Sequence, residues 1–132
     1  MNITCAIGTP TVQKLRICVD MLVALNIDFL KRAQGAKRIP PLYSAGVRYR
    51  REPKPKHGNR LEQFALIPVV LRQGHGDCED LAAWRVAELR MQGKRATPWI
   101  VRVNEHLFHV QVKRGDGTIE DPSRELGMRG NA

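Results

Sequence analysis

Aromatic side chains are scarce in this chain: three Phe, two Tyr and two Trp in 132 residues. The core must therefore rest on Leu, Val, Ile and Ala. A base-stacking platform for single-stranded nucleic acid is thinly supplied, with Tyr43 and Tyr49 the aromatics beside the basic segment. Acidic residues are also in the minority, 13 against 22 Lys and Arg, for a formal net charge of +9. That balance favours an anionic partner, whether nucleic acid, an acidic protein or an envelope polymer. Cysteine occurs three times (Cys5, Cys18, Cys78), an odd number at unrelated spacings. No disulfide framework is indicated, and a reducing compartment is implied. His75 and Cys78 have the spacing of a ligand pair, but no second Cys/His pair follows at zinc-finger distance. Long apolar runs are missing as well. The most apolar window, Ile17 to Leu30, is interrupted by Asp20, Asn26 and Asp28 and is too short for a bilayer. The start "MNITCAIGTP" lacks a basic stretch followed by an apolar one, so no secretory signal is expected and the chain reads as cytoplasmic when made.

What is present fits a single domain spanning 1–132. Thr9-Pro10 reads as a helix start, with Val12, Leu15, Cys18, Val19, Leu22, Leu25 and Phe29 recurring at helical spacing until Gly35. Cys18 falls on that apolar stripe and is expected to be a buried, inert thiol. Residues 35–58 carry four prolines and most of a basic cluster, and read as one long loop. Arg48, Arg50, Arg51, Lys54, Lys56 and Arg60 fall within thirteen residues, opposed only by Glu52. Arg48, Arg50, Arg51, Lys54 and Lys56 are the candidate binding surface for an anionic partner, with a plain solvated basic loop as the alternative. The fragment "VRYRREP" alternates enough for a short edge strand. Asn59 followed by Glu62 resembles a capping box, predicting a short helix disturbed at Pro68.

The stretch "GHGDCEDLAAWRVAELR", Gly74 to Arg90, is the most informative part of the chain. Two glycines permit a tight turn, and a helix is predicted from Cys78 to Gln92, closed by Gly93. Beyond it the period changes to two. "ATPWIVRV" and "LFHVQVKR" read as strands joined across Asn104-Glu105, and "GDG" as a hairpin turn into "TIED", which Pro122 ends. The expected class is α+β, helices first and then an antiparallel meander of about three strands.

A cysteine in the first turn of a helix has an address that suits chemistry. Free N–H groups there favour a thiolate and can bind an oxyanion. In "LFHVQVKR" the Phe108, Val110 and Val112 face is the better core face, so His109 points to the opposite side. Antiparallel pairing across the GDG turn brings Asp121 back toward His109. The three groups together follow the Cys–His–Asp logic of a nucleophile, its base and an orienting acid. Against an easy thiolate stand Asp77, Glu79 and Asp80, since nearby negative charge raises a thiol pKa. Acids in a first helical turn are also ordinary helix stabilisers, the expected role of Asp80. His106 is a rival base and Asp116 a rival acid. His109 is preferred for its mid-strand position, and Asp116 already has a turn role in GDG. His57 is expected at the surface, and Trp84 and Trp99 in core or half-buried positions.

"GDCED" opening a helix, "HVQV" in a strand and "DGTIEDP" in the next resemble the transglutaminase-like cysteine hydrolases of the papain-like superfamily. The pattern is most similar to the bacterial transglutaminase-like cysteine proteinases. From "GVRYRREP" through "EDPSRELGM" it also resembles small relatives encoded by bacteriophages. The motif-bearing region runs from Gly74 to Asp121. The resemblance implies a transglutaminase-like core with Cys78 as nucleophile, His109 as base and Asp121 as orienting acid. It makes Asp77 and Glu79 candidate calcium ligands, and it directs attention to Gln73 and His75 as oxyanion-binding side chains. No cofactor is required by the chemistry, with calcium an option.

Three function classes follow. The first is a cysteine hydrolase cleaving a peptide or isopeptide bond in a protein or peptidoglycan-type substrate through a thioester. Hydrolysis is preferred to transglutamination because nothing marks an amine-acceptor site. The second is a nucleic-acid-binding module built on the basic loop. The third is a phage structural or assembly protein that keeps the fold without turnover, associated with particle proteins.

Overall fold

The structure is a computed structural model, and it describes residues 2–6, 10–33, 39–51, 61–105 and 107–129. The chain is α+β. Its first strand, β1 (Asn2–Ala6), pairs antiparallel with β3 (Leu61–Ala65), an arrangement the local sequence does not announce. Between them runs α1 (Val12–Ala33). Its start differs from the Thr9-Pro10 expectation. The Thr11 hydroxyl accepts the Lys14 N–H at 3.1 Å, so Thr11 is the cap, with Pro10 buried ahead of it. Leu15, Cys18, Val19, Leu22, Val23 and Asn26 form the buried face, with the Cys18 thiol in no disulfide among the described residues. Val12 and Leu25, expected on that face, lie exposed.

The expected loop over 35–58 contains two short elements among its described residues. A 3-10 turn covers Leu42–Ser44, and β2 (Arg48–Tyr49) pairs in parallel with β4 (His75–Gly76). "VRYRREP" thus yields two strand residues, held by main-chain bonds to a segment far along the chain. The helix expected after Asn59 is a correction: residues 61–65 are strand β3. With Phe64 turned into the core, pairing with β1 decides their conformation. Helix α2 (Ile67–Gln73) begins only after it, and Pro68 sits in its first turn, where a missing N–H costs nothing. The buried Asn26 of α1 caps this helix from a distance, its Oδ1 accepting the Ile67 N–H at 3.0 Å. Gly74 ends α2 with φ 81°, a left-handed turn that glycine takes without strain.

Helix α3 (Cys78–Met91) is central, with Leu81, Ala82, Ala83, Trp84, Val86, Ala87 and Leu89 all buried. Gly76 lets it approach: a Cβ there would lie 3.2 Å from both the Asp80 Cβ and a Leu81 methyl. Strands β5 (Ala96–Asn104), β6 (Leu107–Arg114) and β7 (Ile119–Glu120) form the expected antiparallel meander. Pro122 does more than end β7, since it opens a short helix, α4 (Pro122–Glu125).

Two apolar clusters fill the interior. One joins α1 and α3 to Val110 and Val112 of β6, and the other gathers Leu42, Val47, α2, Leu81 and Trp84. Helix α3 contributes to both and is the element on which the rest packs. Trp84 is fully buried, whereas Trp99 is 40% exposed under the Lys113 ammonium. Among the described residues no helix is long and apolar enough to cross a membrane.

Candidate active site

The start of α3 is built by its acidic residues. Asp77 caps it, accepting the Glu79 N–H at 3.2 Å, while Asp80 reaches back to accept the Asp77 N–H at 3.2 Å. The other oxygen of Asp80 accepts the Ala65 N–H at 2.8 Å, tying the helix start to β3. Asp80 is buried and its oxygens hold the local fold together, the helix-stabilising role expected of it.

This frame presents Cys78 as the first residue of the helix. The residue is half-buried, and its sulfur lies against β6, where the Val110 main-chain N–H donates to it. The thiol itself donates to Glu79 Oε2 at 3.2 Å. Burial, followed by the charges of Glu79 and Asp77, pushes the thiol well above its ordinary value of 9.0, against a smaller opposing effect of the Val110 bond. The resting group is a neutral thiol, so the conflict raised by the acidic neighbours resolves in favour of the acids.

His109, one residue before Val110, is buried on β6, opposite Val101 of β5. Its Nε2 lies 2.8 Å from Asp121 Oδ2. That oxygen also accepts the Gln111 amide at 3.1 Å, and the Arg124 guanidinium lies 3.6 Å from it. Although burial pushes the other way, the bonds from His109 and Gln111 bring the Asp121 carboxyl below its ordinary 3.8. An ionised Asp121 can only accept, so Nε2 carries a hydrogen, and in the neutral ring the lone pair is then on Nδ1. Nδ1 is buried and has no hydrogen-bond partner among the described residues. The hairpin thus joins His109 to Asp121, while the Cys78 thiol is bonded to Glu79 and not to the imidazole.

A second ring of charges fixes the acid's strand. Glu120, the residue before Asp121, is held by Arg85 of α3 at 2.5 Å, Arg114 of β6 at 2.7 Å and the Tyr43 hydroxyl at 2.5 Å. Arg85 also donates to Glu88 at 2.9 Å and lies over the Tyr43 ring. The helix that carries the candidate nucleophile therefore also grips the strand that carries the candidate acid.

The other expected residues divide. Gln73 is exposed with its amide donating to the His75 carbonyl at 2.8 Å, so that donor serves its own turn. His75 is half-buried in β4, paired with Arg48. Arg48, Arg50 and Arg51 are exposed. Lys54, Lys56, His57, Arg60 and the rival base His106 lie outside the described residues. Asp116 is exposed and accepts the Thr118 N–H at 2.9 Å, a turn role. Asp77, Cys78 and Glu79 offer ligand atoms within 4.8 Å of one another. Calcium takes six to eight oxygen ligands, and this group of two carboxylates and a sulfur does not fit it.

Two contributors escaped the sequence reading. Gln111 was legible in principle, two residues from His109 on the same face of a strand. The Arg85–Glu120 clamp joins residues 35 apart and has no local signal. Comparison with family models, curated proteins and solved structures finds no match to this chain.

Proposed function

We propose that this chain is a cysteine hydrolase of transglutaminase-like type, cleaving an amide bond through a thioester with Cys78, His109 and Asp121. The observation that carries the reading is the buried His109, 2.8 Å from Asp121 and with its Nδ1 unpartnered among the described residues, on the strand whose next residue binds the Cys78 sulfur. Because the thiol is held protonated, His109 acts as a general base at the moment of attack, not as half of a resting ion pair. The thiol turns from Glu79 to Nδ1, the sulfur adds to the carbonyl and the proton passes to the imidazole. It then moves to the leaving amine, and water repeats the sequence on the thioester. Asp121 fixes the tautomer and stabilises the imidazolium. The substrate is a peptide or isopeptide bond in a protein or a peptidoglycan-type polymer, and the exposed Arg48, Arg50 and Arg51 in and just after β2 suit an anionic one. A cytoplasmic or phage-particle setting accords with the free cysteines and the family resemblance.

A second reading is a phage structural or assembly protein that keeps the fold without turnover. The thiol bonded to Glu79 favours it, since that contact stabilises an unreactive form. Alkylation of the native protein by iodoacetamide from pH 5 to 9, with each cysteine quantified by mass spectrometry, separates the two. The hydrolase reading predicts that Cys78 outpaces the other cysteines at neutral pH and loses that advantage in His109→Ala. Equal, slow labelling of Cys78 in both proteins supports the non-catalytic reading.

A further inference from the structure

Strand β2 lies between the segment that leads into Cys78 and the residue that follows α4. Its Arg48 N–H donates to the Gly74 carbonyl at 3.1 Å and its Arg50 N–H to the Gly76 carbonyl at 2.8 Å. One edge of β2 thus follows the segment that leads into Cys78. The intervening Tyr49 N–H points the opposite way, to the Leu126 carbonyl at 2.9 Å, just beyond the helix that Asp121 opens. Tyr49 occupies the seam between the nucleophile's segment and the acid's segment. Its register partner is Gly76, two residues before Cys78. Its half-buried ring packs on the second apolar cluster, so the ring is held rather than free in solvent.

The phenol is close enough to the site to feel it. Burial first, then negative charge at Cys78 and Asp77, push it up to about 12, against a smaller pull from Arg51. At neutral pH its oxygen carries a hydrogen and serves as a donor. Addition of sulfur to a carbonyl creates an alkoxide beside Cys78, and such a charge is stabilised by preplaced donors. The Cys78 N–H supplies one, because the first N–H groups of a helix have no intrahelical acceptor. Of the side chains expected to supply another, Gln73 donates to its own turn.

We propose that Tyr49 is the side-chain oxyanion donor of this site. Its O–H, together with the Cys78 N–H, binds the oxygen that becomes negative when the Cys78 sulfur adds to the substrate carbonyl. The inference rests on the acyl-transfer reading above. In balance, the S–C bond forms, the carbonyl π pair moves to oxygen and the thiol proton goes to His109. Collapse then returns that pair and expels the amine with the same proton. Tyr49 keeps its hydrogen throughout.

Two reagents isolate this role without a natural substrate. p-Nitrophenyl acetate acylates a thiol through an alkoxide, whereas iodoacetamide alkylates it by displacement and needs no oxyanion donor. With rates read at Cys78 by mass spectrometry, Tyr49→Phe should lower acetylation about a hundredfold and leave alkylation within about twofold of wild type. Unchanged acetylation, or an equal fall in both rates, overturns the proposal while the triad reading stands. Wild-type acetylation no faster at Cys78 than at Cys18 overturns the triad reading, and this proposal with it. Should Tyr49→Phe fail to melt cooperatively, 3-fluorotyrosine placed at position 49 keeps the ring and makes its hydroxyl a stronger donor. The ratio of acetylation to alkylation then rises, and a ratio at or below wild type overturns the assignment.

Discussion

Replacing Glu79 with Gln tests what holds the Cys78 thiol in its resting form. The carboxylate accepts the thiol at 3.2 Å and is buried, with only 8% of its surface exposed. Two unit charges about 4 Å apart at an effective dielectric of about 20 interact by about 4 kcal/mol, an upper bound on what ionising Cys78 beside Glu79 costs. Asp77 remains in the variant and the thiol stays buried, so roughly 1.4–2.7 kcal/mol of relief is expected, which is a ten- to hundredfold larger thiolate fraction at neutral pH. A less basic thiolate is also a weaker nucleophile, with a Brønsted slope of about 0.4–0.5. The net gain in rate toward a disulfide reagent is therefore about 3- to 16-fold. The assay is mixed-disulfide formation at Cys78 with dithiodipyridine between pH 6 and 9, with thermal melting as the control for folding. A Glu79→Gln protein that folds normally and reacts at the wild-type rate or slower refutes the claim that this carboxylate keeps the thiol protonated.

Asp121→Asn removes the acceptor that fixes the His109 tautomer; acetylation of Cys78 by p-nitrophenyl acetate should fall by about 10³–10⁴-fold, and a loss under tenfold would count against the orienting role. Arg85→Met leaves Glu88 and Glu120 without a largely buried cation (side-chain exposure 17%) and should cost about 2–4 kcal/mol in urea unfolding. Stability should also respond to alkali. The folded Cys78 thiol is raised above its ordinary 9.0, so the native state binds the proton more tightly and loses that contribution as pH rises above about 9. Cys78→Ala should flatten the decline between pH 8 and 10 in thermal melts. The opposite sign applies to Asp121 and Glu120, both lowered: their contribution is present above about pH 4 and lost as pH falls below it.

The parts of the fold that the sequence announces are those whose burial repeats along one segment. Helices α1 and α3 carry apolar residues at three- and four-residue spacing, and β5 and β6 alternate around a short connection. Each element is specified by residues close in sequence. Strand β3 defeats that logic. "LEQFA" is short, follows a capping-like Asn59, and becomes a strand only because β1, more than fifty residues earlier, lies beside it. Strand β2 has two residues and takes its place from β4 and Leu126, again far off in the chain. The site follows the same division. Asp121 meets His109 through a hairpin whose register the GDG turn sets locally. Glu120 meets Arg85 across 35 residues, and Tyr49 meets the Cys78 segment through a parallel pairing. The acidic residues beside Cys78 were legible as residues but not as partners, because whether a carboxylate caps a helix or bonds a thiol depends on side-chain direction. Asp77 and Asp80 took the first role and Glu79 the second.

The central claim is that Cys78 attacks a carbonyl with His109 as its base. Intact-mass and peptide mapping of the native protein during exposure to p-nitrophenyl acetate addresses it directly. The account predicts an acetyl thioester that forms on Cys78 and then disappears by hydrolysis, with neither step detectable in His109→Ala. Acetyl groups confined to lysines, or a Cys78 thioester that forms equally fast without His109, would contradict it.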